Sequence, residues 1–283
     1  MIPNSFEYHR PKTVPDALSI LTSHGDTARV IAGGHSLIPV MKQRLTDIQH
    51  LVDLQDINDL RGVTVADTVR IGAMTTQHTL ITHPALAAAV PLLAEAALQI
   101  ADPQVRYVGT IGGNVANGDP GNDMPGLMMC LDATFILSGP GGTRSVPARG
   151  FYQGAYATER ADDEILVAIE MPRPSGGFAY EKQKRKIGDY ATAAAAVQMS
   201  ASGGRVTQAS VAMTNLSDVP VWSQKAGAAL VGSQCQPDAV RAAVAAMLAD
   251  INPSQDNRGP VDFKRHVAGV VLGRAIARAW SRC

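Results

Sequence analysis

The spacing of apolar residues changes period several times along this chain. Val14, Ala17, Leu18 and Leu21 recur at helical spacing, and Gly25 supplies a stop. Short apolar or β-prone runs at 6–9, 28–32 and 51–54 read as strands, and 37–45 as a short helix. These elements predict a small βαββ-like unit over about residues 1–55. A second unit starts near Leu60. It has a strand at 69–73, a short helix capped by Thr75 or Thr76 and running to about Ile81, and a longer helix marked by Leu86, Val90, Leu93, Ala97 and Ile100. That helix is expected to run through Pro91 and to end at Asp102-Pro103. Beyond it come a helix at about 124–131, a hairpin at 134–137 and 145–148 joined across Gly139-Pro140-Gly141-Gly142, and a strand at 164–171.

Pro172-Arg173-Pro174-Ser175-Gly176-Gly177 is the clearest linker, because Pro and Gly cluster there between two strand patterns. After it, 178–186, 192–202 and 205–214 read as three strands, then 237–249 and 261–280 as helices. The expected division is 1–177, with subdomains of about 1–55 and 56–177, and 178–283. Strands followed by helices place the second part in the α+β class.

Two stretches punctuate this pattern in similar surroundings. Ala32-Gly33-Gly34-His35-Ser36 follows one strand-like run, and Thr110-Ile111-Gly112-Gly113-Asn114 echoes it. A glycine pair permits positive φ and removes the Cβ atoms that would hold a ligand away. Free amides in such a turn make a concave donor array suited to phosphate, so two of them could grip a dinucleotide diphosphate. The plainer reading is two ordinary Gly-Gly turns.

Composition narrows the classes. Apolar residues make up 46% of the 283 and aromatics only 5%, so the core must be filled by Ala, Val, Leu, Ile and Met. Lys plus Arg and Asp plus Glu both number 25, so the basic excess of a nucleic-acid binder is missing. Cys130, Cys235 and Cys283 are scattered and odd in number, which argues against a disulfide framework and a Cys-ligated metal or cluster. His35, His50, His78 and His83 form no i, i+4 pair, and no metal site is expected. The G-x-G-x-x-G, P-loop, G-x-S-x-G and H-E-x-x-H patterns are all absent. No side chain is an evident nucleophile or general base, so redox chemistry here would reside in a bound cofactor. The opening residues carry no signal-peptide pattern and 85–101 is interrupted by Pro91, Glu95 and Gln99, which gives a cytoplasmic expectation.

The phrases Ala-Gly-Gly-His-Ser-Leu-Ile-Pro (32–39), Thr-Ile-Gly-Gly-Asn (110–114) and Gly-Asp-Pro-x-x-Asp (118–123) occur in that order. Together they resemble the FAD-binding medium subunits of molybdenum hydroxylases. Tyr8-His9-Arg10-Pro11-Lys12, Ile71-Gly72-Ala73-Met74-Thr75-Thr76 and Lys186-Ile187-Gly188-Asp189-Tyr190-Ala191-Thr192 are most similar to the aerobic carbon monoxide dehydrogenase branch. The resemblance implies an α+β, two-subdomain flavin-binding fold of the vanillyl-alcohol-oxidase type. A C-terminal domain of a three-stranded antiparallel sheet and a helical bundle would follow it. It implies non-covalent FAD, with the molybdenum cofactor in a large partner subunit and iron–sulfur clusters in a small one. The complex would be a dimer of heterotrimers, passing electrons to a quinone or similar acceptor and associating loosely with the inner membrane face through it. An N-heterocycle or xanthine hydroxylase subunit, a freestanding flavin oxidase and a non-catalytic assembly module are the competing readings.

Carried over by position, Val30, Ile31, Ala32, Gly33, Gly34, His35, Ser36 and Leu37 would line the adenine and diphosphate side. Thr110, Ile111, Gly112, Gly113 and Asn114 would form the opposite wall, and Ile100 and Leu166 would also line the cofactor. Asp123 matches a family acid near the ribose, or else caps the helix that follows it. Lys182 matches a lysine that contacts the flavin. As residues alone, Lys182, Lys184 and Lys186 would be one solvated strand face. Tyr190 would lie against the isoalloxazine or simply pack. Lys182, Arg185 and the C-terminal helices are expected to face the small subunit.

Overall fold

The computed structural model describes residues 2–283. Its first unit is β1 (Glu7–His9), α1 (Val14–His24), β2 (Ala28–Ile31), α2 (Leu37–Lys42) and β3 (His50–Asp53). The three strands form a parallel sheet in the order β1-β3-β2. Thr13 caps α1 by accepting from the Asp16 amide, and the backbone N–H of Gly25 closes its other end on the Leu21 carbonyl.

The second unit contains β4 (Val63–Val65), β5 (Thr68–Gly72), α3 (Gln77–Thr82), α4 (Pro84–Ala89), α5 (Pro91–Ala97), α6 (Pro103–Val108), α7 (Ile111–Ala116) and α8 (Asp123–Cys130). It continues with β6 (Thr134–Gly139), β7 (Gly142–Pro147), α9 (Ala148–Phe151), β8 (Tyr152–Gly154), β9 (Ala157–Thr158) and β10 (Ile165–Pro172). Its main sheet is antiparallel, in the order β4-β5-β10-β6-β7. Thr76 caps α3.

Two expectations fail here for one reason, the chemistry of proline. The single helix over 86–100 is two helices, because Val90, just before Pro91, takes φ −136° and ψ 67°. The ring of a proline disfavours helical backbone in the residue ahead of it. Asp102-Pro103 opens a helix instead of ending one: Asp102 accepts from the Val105 amide, and Pro103 sits where its missing N–H costs nothing.

The last part comprises β11 (Gly177–Gln183), β12 (Ala193–Ser202), β13 (Arg205–Thr214), β14 (Val221–Trp222), α10 (Gln224–Leu230), α11 (Pro237–Asp250) and α12 (Val261–Trp280). Three long antiparallel strands are joined by the two-residue β14 at one edge. Ala193, Ala195 and Val197 face a core shared with α10, α11 and α12. Ala194 and Ala196 face the core of the second unit. Burial on both faces explains the unbroken apolar run Ala193-Ala194-Ala195-Ala196-Val197, which shows no alternation. The element filling that second interface is α8, whose every residue is buried.

No helix among the described residues is long and apolar enough to cross a membrane. The three cysteines are free. Burial pushes the Cys130 thiol up to about 12, so it stays protonated at neutral pH, whereas Cys283 is exposed. Alkylation at pH 8, followed by peptide mass analysis, should modify Cys283 in the native protein and Cys130 only after denaturation.

Candidate cofactor-binding site

A cleft of about 480 Å³ runs along β2 and between the two units, with the end of β11 closing one side. All the predicted positions line it except Ile111, which is fully buried in the core of the second unit.

The first glycine turn leaves β2 and enters α2. Gly34 has φ +73°, in the left-handed region that favours glycine. Among the described residues, the amide N–H groups of Gly34, His35 and Ser36 donate to no group of the chain. They form an open donor array. Gly33 serves a different end: a Cβ there would lie 2.6 Å from the Val108 carbonyl oxygen and 2.7 Å from the Gly109 Cα. The turn and the segment before α7 therefore touch backbone to backbone.

The second glycine pair is not a matching loop. It forms the first turn of α7, and its amides are spent. Ile111 donates to the Thr75 carbonyl at 2.9 Å, Gly112 to the Ala73 carbonyl at 2.9 Å and Gly113 to the Thr110 hydroxyl at 3.1 Å. Gly112 is small for packing, since a Cβ would lie 2.5 Å from that of Ala73. Gly113 faces the first turn, where its Cβ would lie 3.4 Å from that of Ala32. The expected pair of amide cradles is thus one cradle and one smooth wall. The wall keeps the Asn114 amide group, whose oxygen accepts from the Met124 N–H at 3.3 Å and whose NH2 remains available.

Asp123, Lys182 and Tyr180 form a buried group at the β11 end. The Lys182 ammonium lies 2.8 Å from Asp123, with side-chain exposures of 1% and 6%. The Tyr180 hydroxyl donates to the other carboxylate oxygen. Burial, reinforced by the Asp123 charge, pushes that phenol well above its usual range and keeps it a donor. Three expectations are corrected here. Asp123 is no cap: Asn122 holds that position and Asp123 begins the helix. Lys182 belongs to no solvated face: its charge is buried against Asp123 within the chain. The strand ends at Gln183, so Lys184 and Lys186 lie beyond it, although Lys182 and Lys184 both donate to the Gln99 carbonyl. Burial and the Lys182 charge lower the Lys184 pKa.

Tyr190 stands at the rim. A Cβ on Gly121 would lie 2.8 Å from its ring, and its hydroxyl donates to Asp119 at 3.1 Å. Its segment is pinned by Asp189, which is 3.0 Å from Arg185 and 3.4 Å from Arg258. Arg185 also donates to the Asn257 carbonyl at 2.9 Å, so its first engagement is within the chain.

The sequence reading passed over Gln77, Asn117, Arg160 and Tyr180. Gln77 Oε1 and Asn117 Nδ2 are buried without a partner among the described residues, and both residues line the cleft. Buried orphans of this kind call for a polar partner, a water or a ligand, in the cleft. Burial lowers the pKa of the Arg160 guanidinium, which also lines the cleft. Tyr180 was findable, because it lies two residues before Lys182 and so shares its strand face.

Residues 4–174 match the family model for the FAD binding domain in molybdopterin dehydrogenase, and 178–279 match that for the CO dehydrogenase flavoprotein C-terminal domain. This chain belongs to the molybdopterin dehydrogenase flavoprotein family. Within that family it is 55% identical to the carbon monoxide dehydrogenase medium chain of Afipia carboxidovorans, over 100% of this chain and 99% of the relative. It superposes on a chain of reconstituted CO dehydrogenase from Oligotropha carboxidovorans with a TM-score of 0.98, at 55% identity and 100% coverage of both. Quinoline 2-oxidoreductase from Pseudomonas putida 86 gives 0.95 at 32% identity and 99% coverage of both. The fold is thus common to chains from complexes named for different substrates.

Removing one partner of a buried ion pair strands the other charge. Lys182→Met should destabilise the protein by about 3–5 kcal/mol in urea unfolding. Adding Asp123→Asn should restore part of the loss.

Proposed function

We propose that this chain is the FAD-carrying, electron-transferring medium subunit of an aerobic carbon monoxide dehydrogenase. What carries the reading is the open amide turn at Gly34, His35 and Ser36, held against the α7 segment in a chain of this kinship. That turn suits the diphosphate of FAD, because three N–H groups converge where no side chain intrudes. Gln77 Oε1 and Asn117 Nδ2 supply an acceptor and a donor to polar edges of the same ligand. FAD, when bound, accepts electrons singly or in pairs, which suits a junction between one-electron clusters and a two-electron acceptor.

The chain's own residues bind, orient and shield. Lys182 brings its charge already balanced by Asp123, so the pair acts as a neutral, fixed dipole. Lys182 is the lysine that lines the cleft, while Lys184 stands outside it and shares the Gln99 carbonyl with it. Tyr190 narrows the rim and excludes water. Val30, Ile31, Leu37, Ile100 and Leu166 give apolar walls. In this reading a large subunit holds the molybdenum cofactor, where CO and water become CO2, and a small subunit holds the iron–sulfur clusters. The assembly is a dimer of such trimers in the cytoplasm, delivering electrons to a quinone. The three scattered cysteines of this chain suit that division of labour.

Acid precipitation of the purified complex should release the yellow colour into the supernatant; colour retained in the pellet would contradict non-covalent FAD. Gly33→Val, which drives a side chain into the Val108 carbonyl, should leave less than about a tenth of the wild-type flavin per chain, while Ser36→Ala, which keeps the backbone amide, should keep most of it. Anaerobic CO should bleach the flavin absorbance of the assembled complex. Bleaching by an N-heterocycle, with none by CO, would favour the heterocycle hydroxylase reading instead.

A further inference from the structure

Away from the cleft, the fold gathers three imidazoles and a carboxylate. His9 ends β1, His50 begins β3 and His24 ends α1. The parallel register sets Glu7 beside His50, and α1 returns its last residue to the same end of the sheet. His9 Nε2 and His50 Nδ1 are 3.1 Å apart. The Glu7 carboxylate lies 3.5 Å from His50 Nδ1 and 3.8 Å from His9 Nε2. The His24 ring stacks on that of His50 at 3.6 Å, and ligand nitrogens of the three histidines lie within 4.8 Å of one another. None of these four residues lines the flavin cleft.

We propose that His9, His24, His50 and Glu7 form a site for one divalent transition-metal ion, with zinc as the best fit. Donors at about 2.0–2.2 Å from a tetrahedral ion sit roughly 3.3–3.5 Å from each other, close to the spacings among Glu7, His9 and His50. Three imidazoles with one carboxylate and no thiolate suit zinc, copper(II) or nickel and not magnesium or calcium. A hydrogen bond between His9 and His50 uses one proton between two lone pairs and leaves the ring nitrogens of His24 without any hydrogen bond among the described residues. The ion takes the place of that proton, which moves to the other ring nitrogen of the donor imidazole so that each ring stays neutral, and adds His24 as a ligand. It thereby clips the end of α1 to β1 and β3. The sequence separations of these histidines match no metal motif, because the parallel crossover, not local spacing, brings them together.

The test uses the purified full-length chain after chelator treatment, titrated with Zn2+ against a chromophoric chelator. One Zn2+ per chain is expected, with a raised unfolding midpoint. His24→Gln, and separately His9→Gln with His50→Gln, should weaken binding at least about tenfold and abolish the shift. Cys283→Ser should leave binding unchanged, and flavin content should be the same in every variant. His24→Gln alters only the half-buried end of a helix, so it reports even where the double variant fails to fold. Absence of stoichiometric Zn2+ would overturn the proposal. Binding untouched by the histidine variants, or lost with Cys283→Ser, would overturn it equally.

Discussion

The site depends on one close approach, that of the Gly33 backbone to Val108 and Gly109. It adds a backbone contact to two units whose apolar cores also meet, where Met74 and Ile165 of the second pack with Val52 and Leu54 of the first. Because nothing larger than hydrogen fits there, the amides of Gly34, His35 and Ser36 are set a fixed distance from α7. The cleft is therefore shaped by main chain, the least adjustable part of a protein. Side chains supply the details: Gln77 and Asn117 the unpaired polar atoms, Lys182 and Asp123 the charge, and Tyr190 the rim.

The buried Lys182–Asp123 pair shows how a tertiary contact can change the meaning of a residue. Alone, Lys182 offers a cation to a reduced ring. Beside Asp123, which also accepts from Tyr180, it becomes one arm of a brace between α8 and β11. Two desolvated charges are tolerable only when joined. The brace ties the C-terminal domain to the cleft, so β11 is as much a part of the site as β2. The Arg185–Asp189–Arg258 contacts do similar work for the segment bearing Tyr190.

Most of the longer strands and most helices were legible because their patterns are local, whereas the two- and three-residue strands β4, β8, β9 and β14 were not. Thr76 at the start of α3, Gly25 at the end of α1 and the hairpin at Gly139-Pro140-Gly141-Gly142 each speak through their own turn chemistry. Pro91 and Pro103 were misread because the same residue can end, start or be carried by a helix, and its neighbour's backbone decides which. About half of the residues lining the cleft were named from the sequence, most of those in or beside the glycine phrases. What could not be read was the asymmetry between the two pairs. The amides of Gly112 and Gly113 are consumed by Ala73 and Thr110, and the Ala73 contact lies far away in sequence. Gln77 and Asn117 were silent for the same cause: an orphaned atom exists only once its surroundings are in place.

The wholly enclosed α8 has a consequence for how such chains can diversify. One side meets α5 and α7, the other meets β12 and β13, and Gly126 nearly touches Thr214. The Pro-Gly linker looks like a seam where halves might be exchanged between relatives. A cut there would pair this helix with an unmatched sheet. The two parts therefore mate through matched surfaces, and an exchange at the linker would need compensating changes on both the helix and the sheet it fits.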